Sequence, residues 1–209
     1  MQKPLVLVGG GGHCKSVIDV AESAGYEILG VLDMPENVGK FVLSYKVIGA
    51  DDDIPSYVDM ADFVITVGQI KNNATRKKIA ERIEKAGGKL ATIVANDAYV
   101  SKYAVIGEGT VVMHKAFVNA GAKVGRNCII NTMVNVEHDA VVGDFCHIST
   151  GTMINGGANI GDSTFIGSQS VVNQMISIRG GVTIASLSVV CKDILENGIF
   201  AGAPIKRIG

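Results

Sequence analysis

The sequence predicts an α/β domain plus a β-solenoid, that is, a small parallel sheet with helices followed by a parallel β-helix of hexapeptide repeats. Three observations support this prediction. Strand-like and helix-like segments alternate over the first 92 residues, and Val or Ile then recurs at every sixth position. The third observation is composition, with 26 glycines in 209 residues, 5% aromatic residues and no Trp. Such a composition favours many tight turns around a thin aliphatic core.

Residues 1–92 form the predicted α/β domain. Short apolar runs with strand character alternate with two segments whose apolar residues follow a helical period. In chain order we expect strand Leu5–Val8, helix His13–Gly25, strand Glu27–Asp33, strand Phe63–Val67, helix Ala74–Ala86 and strand Leu90–Val94. This alternation predicts a parallel sheet with helices on its faces.

A glycine-rich loop follows the first strand. Ligands of parallel α/β sheets bind beyond the carboxyl ends of the strands, where glycines let a phosphate approach the backbone. The loop fits the dinucleotide fingerprint G-x-G-x-x-G only in part, because Cys14 replaces the third glycine. A site for part of a nucleotide-linked substrate is therefore favoured over a redox nucleotide site, and a plain tight turn is the third interpretation. The substrate-binding residues expected at this edge are Gly9, Gly11, Gly12, His13, Asp33, Gly68 and Gln69.

A six-residue repeat defines the second domain, residues 93–209. Every sixth residue from Val94 to Val190 is Val or Ile, seventeen positions in one unbroken register, and the residue four places later is usually small. This register is the signature of a β-helix. Glycine also recurs every eighteen residues, so three hexapeptides form one coil and the prism has three faces. These glycines are expected at coil corners, and they are Gly107, Gly125, Gly143 and Gly161.

Composition also limits partners and location. Nineteen Lys and Arg against twenty Asp and Glu give a net charge of −1 without a basic stripe, so we expect no nucleic-acid partner. No apolar run approaches the roughly 20 residues of a membrane span. The N-terminus lacks signal-peptide features and the cysteines form no CxxC pair, which predicts a cytoplasmic protein with reduced thiols. Cys128 and Cys146, eighteen residues apart, are expected to stack in the core.

One histidine stands out as a candidate for chemistry. His138 has a carboxylate on either side, Glu137 and Asp139, and the stacked positions one coil away are Ala120 and Gly156. Small neighbours leave space beside the imidazole, and a carboxylate on its far nitrogen would orient the ring and raise its basicity. A surface histidine among charges is the alternative interpretation. A second histidine, His147, could reach a ligand that runs along the β-helix.

These residues together resemble a known family. The chain is similar over its whole length to the bacterial hexapeptide-repeat sugar acetyltransferases, which include sialic-acid O-acetyltransferases and N-acetyltransferases of nucleotide-linked amino sugars. The segments that carry the resemblance are Gly9–His13, Glu137–Asp139, Gly143–His147, Ile154–Gly157 and Ala201–Lys206.

The resemblance implies a fold and a site. The first domain would be Rossmann-like, the β-helix left-handed, and the protein a homotrimer that uses acetyl-CoA and no metal. His138 would be the general base, with Asp139 or Glu137 as its acidic neighbour. His147 would lie near the thioester carbonyl, and the acetyl-CoA site would also include Gly156, Gly157, Gly167, Ser168 and Ser186. Asp33 and Gly68 would hold the nucleotide of the sugar.

The predicted function is acetyl transfer to an amine of a nucleotide-linked amino sugar in bacterial surface-glycan biosynthesis. O-acetylation of sialic acid or a related sugar is the first alternative. A non-catalytic nucleotide-sugar-binding protein and a β-helix zinc hydratase, with His114 among its candidate ligands, are the others. Asp33 is followed by Met34 where amino-sugar enzymes commonly have a second acidic residue. The nucleotide therefore stays open between UDP, GDP and CMP.

Overall fold

A computed structural model describes residues 3–70 and 72–209. The chain divides into two compact units. The first comprises Met1–Gly68 and Ala74–Asn96, and the second comprises Gln69–Asn73 and Asp97–Gly209. The domain boundary drawn from the sequence, between residues 92 and 93, stays a prediction.

The first unit contains a five-stranded sheet in the order β3-β4-β2-β1-β5. The strands are parallel except for the antiparallel pair β3 and β4. The inner strand β1 is fully buried, because sheet strands flank it on both sides and helices cover the faces. The elements are β1 Leu5–Val8, α1 Gly12–Ser23, β2 Ile28–Leu32, a 3-10 turn Pro35–Asn37, β3 Phe41–Val42, β4 Tyr45–Gly49, a 3-10 helix Asp51–Ser56, β5 Asp62–Ile65, α2 Ala74–Lys85 and β6 Ile93–Val94.

Two elements of this unit differ from the sequence-based prediction. The strand expected at Leu90–Val94 forms only a single bridge, from Leu90 to Phe63, and a two-residue strand β6. Strand β4, Tyr45–Gly49, was not predicted. Only its alternate residues Val47 and Gly49 are buried, and so short an alternation gives a weak periodic signal.

The second unit contains the parallel β-helix that the repeat predicts. Its two-residue strands pair in parallel with the strands eighteen residues before and after them. These strands are β7 Tyr99–Val100, β8 Val105–Ile106, β9 Val111–Val112, β10 Phe117–Val118, β11 Lys123–Val124, β12 Ile129–Ile130, β13 Asn135–Val136, β14 Val141–Val142, β15 His147–Ile148, β16 Met153–Ile154, β17 Asn159–Ile160, β18 Phe165–Ile166, β19 Val171–Val172, β20 Ser177–Ile178, β21 Thr183–Ile184 and β22 Val189–Val190.

The three faces of the prism follow from this pairing. The first face is β7-β10-β13-β16-β19-β22, the second is β8-β11-β14-β17-β20, and the third contains β9-β12-β15-β18-β21. The third face continues into β23, Ile199–Ala201, which pairs antiparallel with β24, Lys206–Arg207. We call the corners that follow each face the first, second and third edges.

The Val and Ile register forms the core of the prism, as predicted. The positions from Val112 to Val190 are all buried, and Val100 and Ile106, which begin the β-helix, are half-buried. Cys128 and Cys146 are fully buried at stacked positions, which confirms their place in the core. The neighbouring Cys128 thiol and burial raise the pKa of Cys146 well above its ordinary value, so Cys146 does not have the character of a nucleophile.

The eighteen-residue glycines lie at corners of the second edge, but they do not occupy the left-handed corner position. Positive φ angles recur at every sixth residue from Gly109 to Leu187, and nine of these fourteen residues are not glycine. Gly107 and its stacked counterparts directly follow the strands of the second face, two residues before the left-handed position. A Cβ atom on Gly107 would lie 2.5 Å from the carbonyl carbon of Gly125. Close stacking of successive coils, rather than a left-handed backbone, therefore requires these glycines.

Among residues 3–70 and 72–209, no helix combines the length and the apolar character needed to cross a membrane.

Candidate active site

His138 lies on the first edge, two residues after the inward-facing Val136 of β13. Its Nδ1 donates a hydrogen bond to Oδ2 of Asp139 over 3.0 Å. Asp139 adopts the left-handed corner conformation, with φ of 60°, and this turns its carboxylate back towards the preceding ring. Because a carboxylate only accepts hydrogen bonds, Nδ1 carries the proton and Nε2 keeps its lone pair in the neutral ring.

The free nitrogen of this ring faces the space above a glycine. A Cβ atom on Gly156, one coil away, would lie 2.6 Å from Nε2 of His138. The imidazole borders an open groove of about 600 Å³. Its lining residues are His138, Asp139, Gly156, Gly157, Gln174 and Met175. The structure therefore gathers four of the residues predicted for the site around one cavity, and adds Gln174 and Met175, which the sequence analysis missed.

Glu137 is held away from this groove by amides. Asn119 donates to its Oε2 over 2.6 Å, and Asn135 donates to its Oε1 over 3.0 Å. Hydrogen bonds from Asn135 and then Asn119 lower the pKa of Glu137. The two carboxylates beside His138 therefore differ in their contacts. Asp139 contacts the ring, and Glu137 binds the side chains of Asn119 and Asn135.

The hydrogen bonds of Glu137 predict a dependence of stability on pH. Its pKa is lowered below the ordinary value of 4.5, so its stabilising effect is complete above that pH and is lost as pH falls through the folded-state pKa. We expect Glu137→Gln to lower Tm slightly near about pH 7, with a difference from wild type that shrinks towards about pH 3. Thermal unfolding of both proteins across this range measures the effect. A difference that stays constant with pH would contradict it.

The main-chain N–H of Gly156 is a potential donor beside the groove. At equivalent corners, the side chain of the preceding residue accepts this hydrogen bond. Oδ1 of Asn119, for example, accepts from the main-chain N–H of Ala120 over 2.7 Å. Within the described residues, the N–H of Gly156 has no such acceptor. An N–H group beside the ring can therefore donate to a ligand oxygen.

His147 lies on the third face, in β15, and is buried with 8% exposure. Its Nδ1 contacts the carbonyl oxygen of Gln69 at 2.5 Å, and its Nε2 lies 3.2 Å from Nδ2 of Asn131. The structure thus brings two predicted site residues, His147 and Gln69, into direct contact, and adds Asn131, which was not predicted. The sequence signal for Asn131 is its register, which it shares with Asn119 and Glu137 at the position after an inward residue.

The other residues expected along acetyl-CoA lie at a different edge. Gly167, Ser168 and Ser186 occupy the third edge, after β18 and β21, and none of them lines the His138 groove. Oγ of Ser168 lies 2.8 Å from Oγ of Ser149. One copy of the chain therefore does not bring this group and His138 to one cavity.

The first unit has a cavity of about 490 Å³ at the carboxyl ends of its strands. Gly9 follows β1, Asp33 follows β2 and Val67 follows β5, and all three line the cavity. Gly9 has φ of 111°, and a Cβ atom there would lie 2.5 Å from Cγ2 of Val67. This is the position at which open parallel sheets bind ligands.

Not all of the residues predicted for this edge line the cavity. The predicted Gly11, Gly12, His13 and Gly68 do not, and Gln69 belongs to the second unit. The cavity lining instead adds Met34, Pro35, Ala50, Asp51, Asp52, Val67, Thr75, Ile79 and Arg82. Burial raises the pKa of Cys14 to about 11, so this residue, which replaces the third fingerprint glycine, has the character of a packing residue.

The zinc hydratase alternative requires a cluster of metal ligands. In the part of the chain that the structure describes, no three His, Cys, Asp or Glu side chains form a group that could hold a metal ion. His114 lies apart from His138, with its Nδ1 2.6 Å from Oδ1 of Asp97.

The chain is similar to several known proteins. The family model of the PglD N-terminal domain matches residues 4–83. An uncharacterized protein of Acanthamoeba polyphaga mimivirus is 34% identical over 103 residues, which are 49% of this chain and 20% of that protein. The chain therefore spans about a fifth of the length of this curated relative.

Solved structures match the chain over nearly its full length. The acetyltransferase domain of PglB from Neisseria gonorrhoeae is 32% identical, with a TM-score of 0.91 over 99% of this chain and 100% of that chain. The same domain was also solved in complex with acetyl coenzyme A. A mutant of perosamine N-acetyltransferase from Caulobacter crescentus, in complex with CoA and GDP-perosamine, is 27% identical. Its TM-score is 0.93 over 99% of this chain and 97% of that chain.

These matches confirm the predicted fold, a Rossmann-like α/β domain followed by a left-handed parallel β-helix. The sequence of the N-terminal domain and the architecture of the whole chain agree with one family. The chain belongs to the hexapeptide-repeat sugar acetyltransferases.

Proposed function

We propose that this chain is an acetyl-CoA-dependent acetyltransferase that modifies the amine of a nucleotide-linked amino sugar in bacterial surface-glycan biosynthesis. The observation that carries the proposal is the His138 imidazole, held by Asp139 at Nδ1 and open at Nε2. The similar structures support it, since one was solved with acetyl coenzyme A and another with CoA and GDP-perosamine.

A thioester fits the groove beside His138. Gly156 and Gly157 present no side chains there, and Met175 supplies an apolar wall. Bound acetyl-CoA would supply an electrophilic thioester carbonyl. Nε2 of His138 takes a proton from the acceptor amine as the amine nitrogen attacks. The same proton is then available to the thiolate that leaves.

Two further groups assist this proton transfer. The carboxylate of Asp139 holds Nδ1–H, which orients the ring and stabilises the imidazolium that forms. The main-chain N–H of Gly156 donates a hydrogen bond to the negative charge that develops on the acyl oxygen. These steps are completed by side-chain and main-chain groups, so the proposal requires no metal.

The proposal assigns the nucleotide to the cavity of the first unit, where Gly9 and Asp33 lie at the carboxyl ends of neighbouring strands. It also includes a homotrimer, because the residues expected along the pantetheine arm lie on the third edge and His138 lies on the first. The proposal further includes a cytoplasmic location and no nucleic-acid partner.

The decisive experiment is an assay of acetyl-CoA consumption across UDP-, GDP- and CMP-linked amino sugars and free sialic acids. We expect turnover with an amino-sugar nucleotide and none with the matching sugar nucleotide that has a hydroxyl in place of the amine. Turnover with sialic acid alone would favour the first alternative, O-acetylation of sialic acid or a related sugar. Sugar-nucleotide binding without acetyl-CoA use would favour a non-catalytic binding protein. Hydratase activity that requires added zinc and consumes no acetyl-CoA would favour the hydratase.

A further inference from the structure

The ring of His147 is fixed by contacts at both nitrogens. The carbonyl oxygen of Gln69 only accepts hydrogen bonds, so Nδ1 of His147 is the donor of the 2.5 Å contact. The neutral ring then has its lone pair at Nε2, which faces Asn131. The protonation of this histidine is therefore set by its partners.

The orientation of Asn131 supports the same assignment. Its Oδ1 accepts a hydrogen bond from the main-chain N–H of Thr132 over 2.8 Å, so its Nδ2 is the atom that points at His147. An N–H on Nε2 would meet the amide hydrogens of Asn131. The ring also packs edge-on against Phe165, with centroids 5.2 Å apart, and rotation would break all of these contacts.

The partner of Nδ1 belongs to Gln69, which also contacts the β-helix through its side chain. The side chains of Gln69 and Asn73 both donate to the carbonyl oxygen of Phe145, over 3.0 and 3.4 Å. Both side chains are buried, and Gln69 directly follows Gly68 in the chain. His147 therefore contributes the main-chain contact that fixes Gln69.

We infer that His147 is a positioning residue which holds the main chain at Gln69 through Nδ1–H, and that it does not donate a proton or hydrogen bond to the acyl oxygen. The inference rests on the proposed acetyl transfer. Of His147 and the main-chain N–H of Gly156, only the latter then donates a hydrogen bond to the acyl oxygen. Gln69 lies two residues after Val67, which lines the cavity assigned to the nucleotide, so loss of the Nδ1–H donor weakens binding of the acceptor rather than of acetyl-CoA.

Two matched variants separate the two roles of the ring. In His147→Asn the amide nitrogen lies near the place of Nδ1, and in His147→Gln it lies near the place of Nε2. We expect His147→Asn to keep kcat and both KM values within about 3-fold. We expect His147→Gln to raise the KM of the sugar nucleotide with the highest turnover by about 5- to 10-fold, the change for one lost hydrogen bond. The KM of acetyl-CoA stays unchanged.

The inference is wrong if His147→Asn impairs the enzyme more than His147→Gln does. An acyl-oxygen donor at Nε2 would survive in His147→Gln, and His147→Asn would lose about 10²-fold or more in kcat. The imidazole ¹⁵N spectrum of the resting wild-type protein, with the His147→Asn spectrum for assignment, gives a test independent of turnover. A protonated Nδ1 and an unprotonated Nε2 are expected, and the reverse contradicts the inference. Absence of turnover in the wild type would instead count against the proposed function.

Discussion

Replacing His138 with alanine is expected to lower kcat for acetyl transfer by about 10²- to 10⁴-fold, the usual effect of losing a general base. The change removes Nε2, the basic atom that faces Gly156, and leaves Asp139 without its ring partner. Because the His138 side chain is 64% exposed, Tm is expected to change little. Steady-state kinetics with acetyl-CoA and the sugar nucleotide selected by the panel measure the effect.

The matched control for this variant is His114→Ala. His114 is also a histidine of the β-helix with a carboxylate at Nδ1, Asp97, but it does not line the His138 groove. We expect His114→Ala to keep near-normal turnover. Near-normal kcat in His138→Ala would remove His138 from the role of base, and equal losses in both variants would indicate general damage to the β-helix.

Replacing Gly156 with alanine is expected to lower kcat by about 10- to 100-fold, with little change in Tm. The new Cβ would lie 2.6 Å from Nε2 of His138, so the imidazole must move from its place. A shift of about 1 Å in a reacting group can cost about 10²-fold in rate. The fold tolerates the methyl group, because the atom it meets is the far end of an exposed side chain and the φ angle of Gly156 is not positive.

Gly167→Ala supplies the contrasting variant. A Cβ atom at Gly167 would lie 2.6 Å from the carbonyl carbon of Ala185, which is main chain and cannot rotate away. We expect a loss of about 1–3 kcal/mol in unfolding free energy and a fall in Tm of about 3–10 °C. If Gly156→Ala lost stability in the same way and kept its kcat, the space above Gly156 would be structural rather than part of the site.

Much of the fold could be predicted from the sequence because a β-helix is a nearly one-dimensional structure. Each coil contacts only its neighbours, so the rule that places Val112 inside the prism also places Val190. The strand-loop-helix rhythm of the first unit is equally local. Strand β4 and the bridge at Leu90 were harder to predict, because short elements in mixed sequences give little periodic signal.

The site could be predicted in part for the same reason. His138 and Gly156 are eighteen residues apart, so the register alone stacks one over the other. Asp139 and Glu137 were equivalent candidates in the sequence, since both adjoin His138. They differ in the structure because the left-handed corner turns Asp139 towards the ring, while two amides hold Glu137.

The sequence by itself determined the periodic features of this protein: two kinds of repeat, an aliphatic core and a histidine beside an open stacked position. The tertiary structure decided everything that depends on contacts between distant residues. It showed that Gly107 is required by a neighbouring coil rather than by a turn. It also showed that His147 contacts Gln69, 78 residues away. A periodic pattern fixes which way a side chain points, but only the folded chain fixes what that side chain meets.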